Sequence, residues 1–114
     1  MDVALWGHMH CMEVVAPVSN GTVEPGVVAK VSTNPETWVV TNASWTSHLT
    51  VGTLGAVIAE AFKMPQPSWS LYRLGALIDD AYGYVVLRAN RTELSFQFLQ
   101  QSTGKILWEI IYRK

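Results

Sequence analysis

Cysteine is almost missing from this chain. Cys11 is the single one among 114 residues, which excludes an internal disulfide. Charge is scarce as well: 8 Lys and Arg face 9 Asp and Glu, for a net charge of −1. The few cations are scattered, so the electrostatic footprint of nucleic-acid binding is lacking. No apolar run approaches the roughly 20 residues that cross a bilayer as a helix. Internal repeats and low-complexity segments are lacking too, and no secretory signal is visible ahead of His8 and His10.

What is abundant is apolar surface. Hydrophobic residues make up 49% of the chain and charged residues 15%, with five Trp. That balance is greasy for a small solvated domain. It fits a piece that packs against a larger body, a tightly packed small domain, or a homo-oligomer formed through exposed apolar surface. The length implies one domain over residues 1–114, long enough to bury a core.

The most pointed local pattern is Gly7-His8-Met9-His10, directly after the apolar run Val3-Ala4-Leu5-Trp6. Imidazole is a common metal ligand because much of it is neutral near pH 7. In an extended segment His8 and His10 would project to one side; in a loop they could diverge toward two metals. Gly7 suits a strand that turns sharply into a site. Zinc and iron sites need three or four protein ligands, so the pair is part of a site rather than a whole one. Cys11 adjoins it, readable as a thiolate ligand or as a small buried residue, the second being preferred. His48 could fold back as a third ligand, but reads more simply as a polar residue near a helix start. Glu13, Glu36, Asp79 and Asp80 are the acidic groups that could complete a site.

Hydrophobic periodicity predicts short strands over Val3–Trp6, Met12–Val18, Val27–Ser32 and Thr37–Thr41, with a turn at Asn34-Pro35. Pro17 favours an edge or a bend in the second of these. One main helix is expected over Val51–Lys63, where Val51, Leu54, Ile58 and Phe62 share a face. Thr50 would cap it, and Pro65 and Pro67 would stop it. Tyr82–Ala89, Thr92–Leu99 and Ile106–Tyr112 read as a closing meander with a turn at Gly104-Lys105. The expected fold class is α+β, mostly strands with one main helix.

Reading on from the histidines, the segment Gly7-His8-Met9-His10-Cys11-Met12-Glu13-Val14-Val15-Ala16-Pro17-Val18-Ser19-Asn20 resembles the last metal-ligand block of the purple acid phosphatases, within the calcineurin-like metallophosphoesterases. The Gly, both His, the Glu, the Pro-Val and the Asn match in register. The family's Tyr and Arg beside that Glu are Met12 and Val14 here. Asp80 to Tyr84, Val85 to Leu94 and Ser102-Thr103-Gly104-Lys105 are similar to the family's closing strands and hairpin, while the middle from about Val27 to Pro67 is less recognisable.

This resemblance implies a C-terminal portion of a metallophosphoesterase αββα sandwich that hydrolyses phosphate monoesters at a binuclear centre. It implies His8 as ligand of a divalent metal (Zn, Mn or Fe) and His10 as ligand of Fe(III), with Glu13 supporting the loop. The family's other ligand blocks contain Gly-Asp and Asn-His pairs. Neither pair occurs in this chain, nor does the upstream His that donates a proton. The chain is therefore expected to be a fragment, inactive alone, with one metal or none. The alternatives are a small non-enzymatic β-rich interaction module that holds one metal through His8 and His10, and a swapped dimer that pools ligands.

Three sequons, Asn20-Gly21-Thr22, Asn42-Ala43-Ser44 and Asn90-Arg91-Thr92, predict N-glycosylation at Asn20, Asn42 and Asn90. They point to a secretory-pathway parent, extracellular or lysosomal/vacuolar.

Overall fold

Strict alternation decides the C-terminal end of the chain. Trp108, Ile110 and Tyr112 are buried while Glu109 and Ile111 between them are half-buried, the period of a strand with one face inside. The computed structural model describes residues 2–52, 62, 64–74 and 82–114. Among these residues every regular element is a strand. They run β1 (Val3–Trp6), β2 (Met12–Val15), β3 (Val18–Ser19), β4 (Thr22–Val23), β5 (Val28–Thr33), β6 (Glu36–Thr41), β7 (Ser47–Val51), β8 (Ser70–Leu74), β9 (Gly83–Ala89), β10 (Glu93–Gln100) and β11 (Ile106–Arg113).

Two sheets carry the fold. One has the order β5-β6-β11-β10-β9 and the other β1-β7-β2-β8, with β3 and β4 as a separate hairpin. In the first, β9, β10 and β11 form the expected antiparallel meander, and β11 pairs with β6 in parallel. Its hairpin closes where the sequence places it: Gly104 sits at φ 68, and its N–H donates to the Gln100 carbonyl at 2.8 Å. At the β3–β4 turn, Asn20 and Gly21 both take positive φ, as a two-residue hairpin loop with right-handed strand twist requires.

The sheets pack face to face on one core. Trp38, Val40, Phe96, Phe98, Trp108, Ile110 and Tyr112 from the larger sheet meet Met12, Val14, Leu49 and Leu74 from the smaller. Aromatic edges and faces tile the interior: Tyr72 lies 6.2 Å from Trp38 and 6.3 Å from Trp108, centroid to centroid. Buried polar groups are matched across the gap, as burial demands. The Trp108 indole N–H donates to the Met12 sulfur at 2.8 Å. The Tyr112 hydroxyl donates to Ser47 Oγ at 2.7 Å, and Ser47 in turn donates to the Val15 carbonyl. Burial pushes the Tyr112 phenol well above its ordinary range.

The expected α+β class, with one main helix in an αββα sandwich, is corrected: the described residues form an all-β sandwich. The expected helix start is a strand end. Thr50 and Val51 close β7, and Gly52 is a turn. Residues 53–61 and 63, over which the helix would run, lie outside the described residues, as do Asp79 and Asp80. The physical reason is the competing period: Ser47, Leu49 and Val51 alternate with His48 and Thr50. With β1 on one side and β2 on the other, that two-residue period holds the chain in the sheet as far as Val51.

Candidate functional site

The His8-Met9-His10 loop owes its place to the order of strands. β1 runs parallel to β7, from Val3 opposite Ser47 to Trp6 opposite Thr50. β2 runs antiparallel to β7, from Met12 opposite Val51 to Val15 opposite His48. In the sheet β7 lies between them. The chain must therefore leave β1, pass over the end of β7 and enter β2 two strand positions away, about 10 Å. Residues 7–11 make that crossing. They lie at the carboxyl ends of the parallel strands β1 and β7, the end of a sheet where parallel architectures place ligands.

Within the loop, the Cys11 N–H donates to the Met9 carbonyl at 2.8 Å, and the Gly52 N–H donates to the Cys11 carbonyl at 3.0 Å. His8 and Met9 are exposed, His10 is half-buried, and Cys11 is buried. Exposure falls along the bridge, from His8 at the surface to Cys11, the residue nearest β2, inside. Cys11 thus takes the preferred reading of a small buried residue.

The other sequence candidates go elsewhere. His48 points to the outer face of the smaller sheet, where its Nδ1 accepts the Trp6 indole N–H at 3.1 Å and its ring stacks on that indole. The bond makes Nδ1 the acceptor and leaves the proton of the neutral ring on Nε2. Glu13 lies directly across from Arg73 on β8, and accepts its Nε–H at 2.7 Å and the Ser70 hydroxyl at 2.6 Å. The Arg73 guanidinium lies 4.7 Å from the centre of the Phe62 ring and 5.8 Å from that of Trp69. Glu13 is thereby a clasp between β2 and β8. Glu36 pairs with Lys30 on the other sheet at 3.0 Å. Met12 and Val14, where the resembling family has Tyr and Arg, are fully buried core residues.

No group of three or more His, Cys, Asp or Glu assembles among the described residues. The loop offers two neighbouring imidazoles, the donor type that zinc and iron take. Two imidazoles do not close a site by themselves, and no further His, Cys, Asp or Glu joins them among the described residues.

Sequence reasoning missed the partners that shape this region: Arg73, Ser70 and Gly52. A Glu on one strand and an Arg on a second are separated by 60 residues, and only the sheet order makes them neighbours. Ser70-Leu71-Tyr72-Arg73-Leu74 carries no alternation to announce β8, because a register shift against β2 lets Ser70 and Arg73 both reach Glu13.

Comparison with known proteins agrees with this architecture. A family model described as "Iron/zinc purple acid phosphatase-like protein C" matches residues 45–107, more than half of the chain. The match begins downstream of His8 and His10. The solved structure of purple acid phosphatase PPD1 from yellow lupin (Lupinus luteus) seeds is similar with a TM-score of 0.72 and 23% identity. It covers 99% of this chain, whereas this chain spans 18% of the lupin protein, and the likeness shows a common fold. No curated protein matches. With more than half of its length matched and its strands in the lupin arrangement, the chain belongs to the purple acid phosphatase-like family as its C-terminal domain.

Proposed function

We propose that this chain supplies two metal ligands, His8 and His10, to a binuclear centre that hydrolyses phosphate monoesters, with the other ligands contributed from outside the chain. The observation that carries the reading is the His8-Met9-His10 loop at the carboxyl ends of β1 and β7, in a chain of the purple acid phosphatase-like family. In this assignment His8 serves a divalent metal (Zn, Mn or Fe) and His10 serves Fe(III). When bound, such a pair activates water and neutralises phosphoryl charge. The chain's own contribution is positional. β1 and β2 hold the two ends of the loop on either side of β7, and the Glu13–Arg73 clasp fixes β2 against β8.

Two imidazoles alone do not hold two ions about 3.5–4 Å apart, each of which needs several anchors. The chain by itself is accordingly inactive. The test mixes the chain with the catalytic portion of a purple acid phosphatase that lacks its own last ligand block, with iron and zinc supplied. Hydrolysis of p-nitrophenyl phosphate is expected with the mixture, and neither with the chain alone nor with His8→Ala, His10→Ala in the mixture. Turnover that survives the double substitution would remove these histidines from the site.

Asn20, Asn42 and Asn90 are all exposed, which supports N-glycosylation and a secretory parent, extracellular or lysosomal/vacuolar. A loss of mass on glycosidase treatment, after expression through a secretory pathway, is the expected result.

A second reading, a non-enzymatic β-rich module, is favoured by one observation: the core closes between this chain's own two sheets. It requires a metal, if held, to support the fold, and chelation separates the two readings.

A further inference from the structure

We propose that Gly52, not Gly7, is the positioning residue of the His8-Met9-His10 loop. The inference rests on the reading of that loop as a metal-ligand segment and adds the residue that sets its shape. Gly7 is the glycine that the sequence pattern singles out for a sharp turn. Its φ is not in the left-handed region, and a Cβ built on it would meet nothing within 4 Å. Nothing local requires glycine there.

Gly52 is the opposite case. A Cβ on it would stand 1.6 Å from the Met9 carbonyl oxygen, 2.7 Å from the Met9 carbonyl carbon and 3.1 Å from the Gly7 carbonyl oxygen. Its φ is not left-handed either, so the requirement is for space and not for backbone freedom. The cause is the strand order. Because the loop crosses directly over the end of β7, the residue following that strand lies beneath the loop's backbone. Gly52 also donates its N–H to the Cys11 carbonyl at 3.0 Å, and so ties the loop from below.

The obstacle is backbone, which no rotamer change relieves. To admit even a methyl group, the Met9 carbonyl must retreat from 1.6 Å to at least 3.0 Å. Met9 stands between the two histidines, so its displacement carries both imidazoles with it. Ligand constellations lose function at misplacements of about 1 Å, with effects that reach roughly 100-fold. Gly52 therefore acts on metal affinity through loop geometry, without touching the metal.

The test is a zinc titration of the 114-residue chain, followed by NMR at the His8 and His10 imidazoles, for the natural chain, Gly7→Ala and Gly52→Ala. Gly7→Ala is expected to respond at the same zinc concentration within about twofold. Gly52→Ala is expected to need at least about tenfold more zinc. Its amide signals from His8 to Cys11 should be displaced, while those of β9, β10 and β11 stay in place. A Gly52→Ala chain with unmoved loop amides and an unchanged zinc midpoint overturns the proposal. If zinc moves neither imidazole even in the natural chain, the metal-ligand reading fails. The loop amides of Gly52→Ala then still decide the role of Gly52. Should Gly52→Ala not fold, hydrogen exchange on the natural chain decides. Protection of the Gly52 and Cys11 amides supports the seat beneath the loop, and exchange at the rate of free amides refutes it.

Discussion

The two sheets of this sandwich solve different problems. In the larger one, β9, β10 and β11 are seven or eight residues long and joined by tight hairpins, with aromatic side chains on the inner face. In the smaller one the strands are four or five residues long, β1 is an edge, and Leu5 and Trp6 on it are each more than half exposed. The larger sheet draws stability from many overlapping apolar contacts. The smaller is held in place by a few specific devices: the Glu13–Arg73 clasp, the Tyr112–Ser47 hydrogen bond to the opposite sheet, and Gly52 beneath the loop. One half carries the core, and the other presents a loop.

The largest stability loss is therefore expected from the interior of the larger sheet. Trp108 is fully buried and reaches across to Met12. Trp108→Ala should cost about 3–5 kcal/mol in urea unfolding, whereas Leu5→Ala on the exposed edge should stay below about 1 kcal/mol. Equal losses at the two positions would erase the distinction.

The clasp comes next. Both partners of the Glu13–Arg73 pair are largely buried, and Glu13 also accepts the Ser70 hydroxyl. Glu13→Gln should lower stability by about 2 kcal/mol, the range of charge-assisted hydrogen bonds. Amide perturbations should be concentrated on β2 and β8, and changes spread over β9, β10 and β11 would argue against a local device.

Tyr112→Phe removes the hydrogen bond that ties the sheets together and should cost about 1 kcal/mol. It also carries a pH signature. Burial raises the Tyr112 phenol above its ordinary value, so its contribution is complete below the unfolded chain's phenol range, about 10, and fades as pH rises toward the folded value. The natural chain should therefore lose more stability than Tyr112→Phe as pH climbs past about 10. Parallel pH curves would mean that the phenol ionises as freely folded as unfolded.

The smallest effect belongs to Lys30 and Glu36, a salt bridge at the surface of the larger sheet with both side chains more than a third exposed. Lys30→Ala should change stability by less than about 0.5 kcal/mol. A larger loss would show that this sheet, too, leans on single pairs.

Much of the larger sheet was legible in the sequence, because Leu94, Phe96 and Phe98, and Trp108, Ile110 and Tyr112, alternate with more exposed residues and the turns carry their own chemistry at Asn34-Pro35 and Gly104. The smaller sheet was legible only at β1 and β2. At β7 the apolar residues that follow in the sequence supplied a competing helical period that hid the strand. Its β8 carries Arg73 and Ser70 on the outer face for the sake of Glu13, a reason that exists only once the strands are side by side. The same holds at the site. His8 and His10 are metal-ligand candidates by type and spacing alone, but the lack of room for a Cβ at Gly52 follows from sheet order, which no local pattern encodes. Gly7, the glycine in plain view, sits in open space.

The central claim is that the core alone stabilises this fold, with the proposed ligands His8 and His10 adding nothing that the fold depends on. Thermal unfolding of the chain, with zinc and then with excess chelator, tests it most directly. The account predicts a chain that stays folded under chelator, its melting temperature lowered only by what zinc binding to the loop adds, and the same melting temperature for His8→Ala, His10→Ala in the presence of chelator. A chain that unfolds when its metal is removed, and refolds when zinc returns, would contradict it and establish a structural metal site in a self-contained module.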